Sequence, residues 1–584
     1  GEEALAALEA AVLAAPDDGE RAQRLAERLI AEQAWSRLEA LYDAQASVAA
    51  TFDERLALAR ARAGLRAERF DDVAGAYAIL APFLAEAPND ADTALRAAQY
   101  AERAGDHAAA DGAFDVAFQA EEGALKAALA HARALEARGD PEGALLRLEE
   151  ATGRLGEDRA LLELQAEVRS RLRDWSGVVR TLLRLLEVEP TPAAKAHRAM
   201  AIGRILSRVV QDHRRAAGWF KRAVELDADQ LKAVWLMLAE IEQLPAEDVP
   251  ADHVEDALVR AIEAVRVRLA ASPSDVAVLQ DLFRLQRARG DRDGERWAAE
   301  ALRMLGADDE RVQAALAERP RRLRPPQAHA PERIAWLLVH RREARPAGVL
   351  FALTAPALRV ALGQPPTGPS VDGLPIEGRA WLEAWGAALG VEDLCMVEGE
   401  LGGGYDPAPV LRVPRAVLQG QAEPGDLFDV GCTLEGLRDG RLLAARLPAD
   451  ALEAAVRTVA VASGVAEASR PRNRPPNEDA LRSAAAAARI PVGPLAVEFE
   501  RAGGTPDFLE YSEAVRASAH RAGLLVCEDL SAAVARVAAL SEAAPTDFAV
   551  AVERDPAARA LYLFALGPAH GALRRALGLG EGAR

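Results

Sequence analysis

Apolar residues in the first half of the chain recur at intervals of four and then three. In "GDHAAADGAFDVAFQA", Ala110, Phe114 and Ala117 stand at i, i+4 and i+7 with polar residues between them. That spacing places them on one face of a helix. The set returns 34 residues later as Ala144, Leu148 and Ala151, and again as Val178, Leu182 and Leu185. The same distance upstream it is Ala76, Leu80 and Phe83. Two further copies need four extra residues: Ala216, Phe220 and Ala223 downstream, and Leu38 with Tyr42 upstream. Each helix follows a short turn ("GD", "RDW" or "QAW") and stops at Pro- or acid-rich text such as "EAPNDAD", "EVEPTP" and "ELDADQ". Proline cannot continue a helix, so these stretches punctuate the pattern.

A fixed period of roughly 20–50 residues marks stacked supersecondary units. One helical hairpin cannot bury its own apolar face, so neighbours must stack on it. The pattern therefore predicts an α-solenoid over residues 1–305, with "ASPSDVAVLQDLFRLQRARGDRDGERWAAEALRML" as its last hairpin. The order small, large, small in Ala216, Phe220 and Ala223, followed by "ELDAD", resembles that of tetratricopeptide repeat proteins, bacterial ones among them. Val178, Leu182 and Pro190 keep the same order with a larger Leu185. The Trp, Leu-Gly and Tyr of that family's first helix are mostly replaced; "ALRAAQYAERAGD" has Ala there. The resemblance implies first helices, around Leu95–Ala101, Ala128–Leu135 and Leu161–Val168, lining a groove that takes a protein or peptide ligand. It implies second helices that form an outer layer and send Phe114, Leu148, Leu182 and Phe220 inward. The Lys/Asn clamp by which some members hold a terminal carboxylate is not matched. The lysines are Lys126, Lys195, Lys221 and Lys232, and the repeat half has Asn89 alone.

The N-terminus enters this pattern midway. Ala4, Leu8, Ala11 and Pro16 occupy second-helix positions without a first-helix partner. Leu5, Leu8 and Val12 are therefore expected to be exposed, and to meet either upstream repeats of a longer parent chain or a second copy.

Beyond Gly306 the period is lost. The Pro- and Arg-rich stretch "AERPRRLRPPQAHAPE" reads as a linker over 306–331. Residues 332–584 read as an α-rich mixed domain. Helices are expected at "RAWLEAWGAALG" and "DLFDVGCTLEGLRDGRLLAA", and strands at "DLCMVEGE" and "PVLRVPR" around a Gly-rich turn, "LGGGYDPA". "RPRNRPPNED" reads as a flexible loop, and "TDFAVAVERDPAARALYLFALG" as a terminal strand and helix. The expected fold class is mainly α: a tetratricopeptide-type α-solenoid followed by a smaller, α-rich α+β domain.

Composition narrows the function. The formal net charge of -19 argues against nucleic acid or an anionic membrane surface as partner. No apolar run approaches the roughly 18 residues of a membrane-spanning helix. Three scattered cysteines, Cys395, Cys432 and Cys527, make neither a disulfide framework nor a thiolate zinc site, which suits a reducing, cytoplasmic setting. "LGGGYD" lacks the Lys-Ser/Thr of a phosphate loop. His329, His340, His520 and His570 show no ligand spacing, so no cofactor is expected.

The order helix, strand, hairpin, then the helix of "DLFDVGCTLEGLRDGRLL", with "RASAHRAGLLVCEDLSAA" much later, resembles the core of HtpX-type zinc metallopeptidases. There, two His one turn apart bind zinc and a Glu between them activates water. The resemblance puts Cys432 at the first His, Thr433 at that Glu, Gly436 at the second His and Arg516 at the later Glu ligand. Every ligand is replaced, which implies a dead peptidase fold. Cys432, Glu435 and His520 remain a residual candidate metal set. The expected function is a non-catalytic scaffold or adaptor; the competing expectation is a hydrolase whose repeats select its substrate.

Overall fold

The Gly-Asp turn works through backbone conformation. Gln33, Asp71, Gly105, Gly139, Arg173 and Gln211 all have left-handed φ, between 54° and 81°. Each ends a first helix by reversing the chain, a conformation that costs glycine least. At five of these turns the next residue is Asp72, Asp106, Asp140, Asp174 or Asp212, whose carboxylate accepts a backbone N–H and caps the second helix. At the first turn the position holds Ala34, which offers no side-chain cap. The two longer intervals between turns have a simple cause. One first helix, Phe52–Arg69, has 18 residues against 14 in Ala91–Ala104. The other, Pro192–Ile205, runs on through a π-turn at Leu206–Val210. Each four-residue insertion is one extra helical turn.

The computed structural model describes residues 9–10, 12, 19–120, 122–245, 251–317, 325–327, 331–371, 376–406, 408–469, 471–541 and 547–580. Contacts divide the chain into two units, 1–254 and 255–584. In the first unit, helices alternate as first and second members of hairpins: α1 (Gly19–Ala31), α2 (Trp35–Val48), α3 (Phe52–Arg69), α4 (Val73–Glu86), α5 (Ala91–Ala104), α6 (His107–Gln119), α7 (Ala124–Ala137), α8 (Pro141–Leu155), α9 (Arg159–Arg171), α10 (Trp175–Val188), α11 (Pro192–Ile205), α12 (His213–Leu226) and α13 (Leu231–Ile241). Each packs on the next, as a solenoid requires. Phe114, Leu148, Leu182 and Phe220 are all buried, in the register the period gave them. Gly203 of α11 makes room for Phe220: a Cβ there would sit 2.7 Å from the ring.

One expectation at the N-terminus is corrected. Val12 is fully buried, in a cluster with Leu25, Leu29, Leu38, Leu41 and Leu65, because α1 lies beneath it and supplies the apolar partner. Leu5 and Leu8 lie outside the described residues.

The second unit begins inside α14 (Ala251–Ala271), so α15 (Val276–Arg289) and α16 (Arg292–Met304) pack with the C-terminal helices rather than closing the repeat stack at 305. Divided there, the second unit is the longer of the two. Within the 306–331 stretch, Glu310–Ala317 is helical (α17), and Gln327 donates its backbone N–H to Leu577; residues 318–324 and 328–330, with His329, lie outside the described residues. Then come α18 (Pro331–Leu338), α19 (Pro346–Leu362) and α20 (Ile376–Ala388), followed by a sheet of β1 (Cys395–Glu398), β2 (Gly402–Asp406) and β3 (Ala408–Val413) in the order β1-β3-β2. β1 pairs parallel with β3, and β2 antiparallel with it. The Gly-rich stretch read as a turn is itself strand β2. Its glycines admit close neighbours: a Cβ on Gly404 would lie 2.0 Å from the Gln364 carbonyl oxygen, and one on Gly403 3.0 Å from Leu442.

The remaining helices are α21 (Arg415–Leu418), α22 (Pro424–Leu437), α23 (Arg441–Arg446), α24 (Ala449–Ala462), α25 (Glu478–Ala487), α26 (Val492–Arg501), α27 (Phe508–Cys527), α28 (Leu530–Ala539), α29 (Phe548–Arg554), α30 (Pro556–Ala565) and α31 (Pro568–Ala576). The strand expected near the C-terminus is helix α29. Asp547 and Asp555 cap α29 and α30 in turn, and Pro556 starts the second. The fold class is the expected one: mainly α, a repeat solenoid followed by an α-rich unit with one small sheet.

Candidate functional site

In the first unit, first helices of neighbouring hairpins meet: α5 touches α7, and α7 touches α9. The second helices α6, α8 and α10 do not approach one another as closely. First helices thus form the tighter, inner side of the stack. Gln99, Arg133 and Glu167 recur on them at the 34-residue period, and all three are exposed. Lys126 is exposed on the same helix as Arg133. Ion pairs one repeat apart flank this face. Arg138 donates Nε to both oxygens of Glu102 at 3.0 Å, and Arg171 reaches Glu136 at 2.6 Å. Arg198 pairs with Glu163. The bond from Arg138 holds the Glu102 carboxyl below its ordinary range. Each pair bridges two first helices, so it fixes their spacing as well as their charge.

Several polar side chains are buried on this unit's inner helices, His131 and Gln165 among them. His131 of α7 stacks on Phe114 with ring centroids 4.8 Å apart and bonds Asp111 at 3.0 Å through Nε2. Burial lowers its pKa, which favours the neutral ring.

The candidate metal set of the second unit is pulled apart by packing. Helices α22 and α27 lie against each other most extensively of all pairs. Gly431 and Gly523 permit this: a Cβ on Gly431 would lie 2.8 Å from the Ala522 carbonyl oxygen, and one on Gly523 2.7 Å from Cys432 Sγ. Cys432 is therefore packed against the backbone of α27, and burial raises its thiol pKa. His520 faces Phe428, ring centroids 6.0 Å apart, with its pKa lowered to about 4 by burial and then by Arg516. Glu435 is fully buried and committed to two guanidinium groups, Arg438 at 3.1 Å and Arg441 at 2.5 Å. Arg441 continues to Glu343 at 2.6 Å, and Ser518 donates to that same carboxylate. Thr433 bonds the Asp429 carbonyl at 2.8 Å, and Arg516 is exposed, seven residues before Gly523. Among the described residues, no three His, Cys, Asp or Glu side chains lie together as a metal site requires.

Sequence reasoning missed a second buried network. Arg574, 1% exposed, donates Nε to both oxygens of Asp293 at 2.9 and 2.8 Å, and donates also to Glu528 at 2.7 Å and the Leu579 carbonyl at 3.0 Å. Beside it lies a small cavity of about 50 Å³ between α14–α16 and α30–α31. Nothing in the local text near Arg574 marks it, since its acidic partners lie 281 and 46 residues away.

No protein-family model matches this sequence, and no curated protein matches it. Among solved structures, it is similar to the tetratricopeptide domain of P58(IPK), 14% identical over 51% of this chain and 96% of that one, with a TM-score of 0.17. It is also similar to a chain in the structure of Naa15/Naa10 bound to HypK-THB, 14% identical over 96% of this chain and 87% of that one, with a TM-score of 0.26. At such low scores neither similarity reaches past the helical-hairpin stacking that the chain's own geometry displays.

Proposed function

We propose that this chain is a non-catalytic scaffold of the tetratricopeptide type, holding a partner protein or peptide on the first-helix face of residues 1–254. The observation that carries this reading is the row of exposed Gln99, Arg133 and Glu167, one per repeat, on first helices that touch each other. A row at fixed spacing on rigid helices suits an extended ligand. The flanking Glu–Arg pairs already neutralise much of the face, so the ligand recognised there has mixed polarity rather than one strong charge. The second unit, in this reading, is a metallopeptidase-like fold kept as structure. Its position for the first metal ligand holds a thiol packed on a helix, and its acidic neighbour Glu435 is held by two arginines. Among the described residues no helix is long and apolar enough to cross a membrane, and the free cysteines suit a reducing, cytoplasmic setting.

The test compares two faces. Lys126→Glu with Arg133→Glu is expected to abolish co-purification of a stoichiometric partner, whereas Leu146→Asp on a second helix leaves it intact. Equal loss from both changes contradicts the assignment. For the hydrolase alternative, metal analysis of the purified chain is expected to give no stoichiometric zinc, with no peptide cleavage. One zinc per chain, lost in Cys432→Ser or His520→Ala, overturns the non-catalytic reading.

A further inference from the structure

The first-helix face carries leftover charge opposite in sign to that of the chain, whose formal net charge is -19. On α5, α7 and α9 every acid is already paired. Asp92 meets Arg96 at 3.3 Å, Glu102 meets Arg138, and Glu136 meets Arg171 at 2.6 Å. Glu163 meets Arg159 at 3.1 Å, and Glu167 meets Arg171 at 2.7 Å. Three cations on the same helices are exposed and make no ion pair or hydrogen bond among the described residues: Arg103 of α5, and Lys126 and Arg133 of α7. The next first helix, α11, has no acid at all, and its half-buried Lys195 and Arg204 are likewise without an ion pair among the described residues. On α3 the leftover groups are acids, Asp53 and Glu68, so the cationic excess is local to the middle of the stack.

Helical spacing sets these cations beside apolar side chains. Lys126, Leu129, Ala130 and Arg133 stand at i, i+3, i+4 and i+7, on one face of α7. Leu129 and Ala130 are half-buried, so the two cations flank an apolar strip that is still partly open. Leu95 holds the place of Leu129 one repeat earlier, on α5; it is half-buried too, and α5 touches α7. Arg103 lies one turn beyond Gln99, which holds the place of Arg133 on α5. Unpaired cations around a partly open apolar strip ask for a partner that brings carboxylates and apolar side chains together. A phosphate backbone brings the charge and leaves the leucines uncovered, and it needs a broad basic field that a chain of this net charge lacks.

Resting on the reading of the first-helix face as the binding face, we propose that it recognises an acidic, amphipathic protein segment. Carboxylates of that segment meet Lys126, Arg133 and Arg103, and apolar side chains between them cover Leu129 and Leu95. The acids are interspersed with apolar residues, so the ligand keeps the mixed polarity that the self-neutralised part of the face asks for. On an acidic protein, such a patch also steers an acidic partner to one place, because the rest of the surface repels it.

Selection from a display library of random peptides against the full chain tests this with no partner in hand. The selected sequences are expected to carry acids set among apolar residues. Synthesised with both ends blocked, they are expected to bind the wild type more weakly as salt rises. Lys126→Gln with Arg133→Gln is expected to weaken them about tenfold and to flatten the salt dependence, whereas Lys126→Arg keeps both. Both positions are exposed and glutamine is a good helix former, so an unchanged thermal midpoint separates lost binding from lost folding. Lys126→Glu with Arg133→Glu is expected to turn the selection towards basic sequences. Selected peptides without an excess of acids, whose binding is still lost in the α7 variants, overturn the acidic assignment and leave the binding face standing. Peptides lost in Leu146→Asp and kept in the α7 variants overturn the face itself. No selected sequence, or displacement of the acidic peptides by a single-stranded oligonucleotide, also overturns the proposal.

Discussion

The two units differ in how far along the chain their buried and half-buried charges find partners. In the first, the partners are about one repeat apart: Glu102 and Arg138 are separated by 36 positions, Glu136 and Arg171 by 35. In the second, close pairs such as Glu435 with Arg438 are joined by distant ones: Asp293 and Arg574 lie 281 positions apart, and the Ser518 hydroxyl reaches Glu343 across 175. A repeat stack is nearly one-dimensional, so each hairpin answers to its neighbours alone. The second unit closes on itself through long-range pairs, so damage at one of them is expected to spread further through 255–584 than in the repeat stack.

Breaking one contact in each unit should show this contrast. Phe220→Ala removes a fully buried ring from the repeat core and is expected to cost about 3–5 kcal/mol. Hydrogen exchange should report the damage in α11–α13 while leaving α5–α8 protected; uniform loss across the first unit contradicts the one-dimensional account. Arg574→Ala is expected to cost a similar ~3–5 kcal/mol, because Asp293 and Glu528 are left as uncompensated charges. Here the loss should spread through α15, α16, α27, α28 and α31 together.

Acid should separate the units less sharply. Burial lowers the pKa of His570 from 6.5 to about 3, with Arg574 adding to the effect, and that of His520 from 6.5 to about 4. Between the unfolded and folded values, the unfolded chain binds more protons at these positions than the folded one. Stability of the second unit should therefore fall as pH falls below 6.5 and level off beneath the folded values. The slope contributed by fully buried His570 approaches about 1.4 kcal/mol per pH unit, with less from half-buried His520. Urea unfolding of wild type and His520→Gln at pH 7 and pH 5 measures it; identical pH slopes in the two proteins contradict the assignment for His520.

The smallest expected effect is at a turn. Asp140→Ala removes the side-chain bond to Gly143 N–H and is expected to cost about 1 kcal/mol. Ala34 holds the equivalent position in the first hairpin with no side-chain cap, so Ala34→Asp is expected to stabilise that hairpin by a similar amount. Thermal unfolding with no change in either variant contradicts the role given to the turn.

Legibility followed the same divide. The period, the left-handed turn and the capping Asp all sit within a few residues of one another, so "GD" and the small–large–small triplet could be read from the text. Even the two insertions were visible, although their form, an extra turn on a first helix, was not. The burial of Val12 was missed because α1 does not carry the family's motif residues. In the second unit, β2 was read as a turn because three glycines usually mark one. Their use here, admitting Gln364 and Leu442 against the strand, depends on tertiary neighbours. Cys432 and Glu435 stand three apart on one helix, yet one packs on α27 and the other is held by Arg438 and Arg441. His570 and Arg574 are one turn apart on α31, but Trp297 and Asp293 meet them only after folding, and no local pattern announces it.

The central claim is that ligands meet the first-helix face of the repeat stack. A photo-cross-linking residue placed singly at Gln99, Arg133 or Glu167, and for comparison at exposed Leu146 and Leu183 on second helices, tests it most directly. The account predicts one and the same cross-linked protein from all three first-helix positions and none from the second-helix positions. Cross-links that form from Leu146 and Leu183 instead, or equally from both faces, would contradict it.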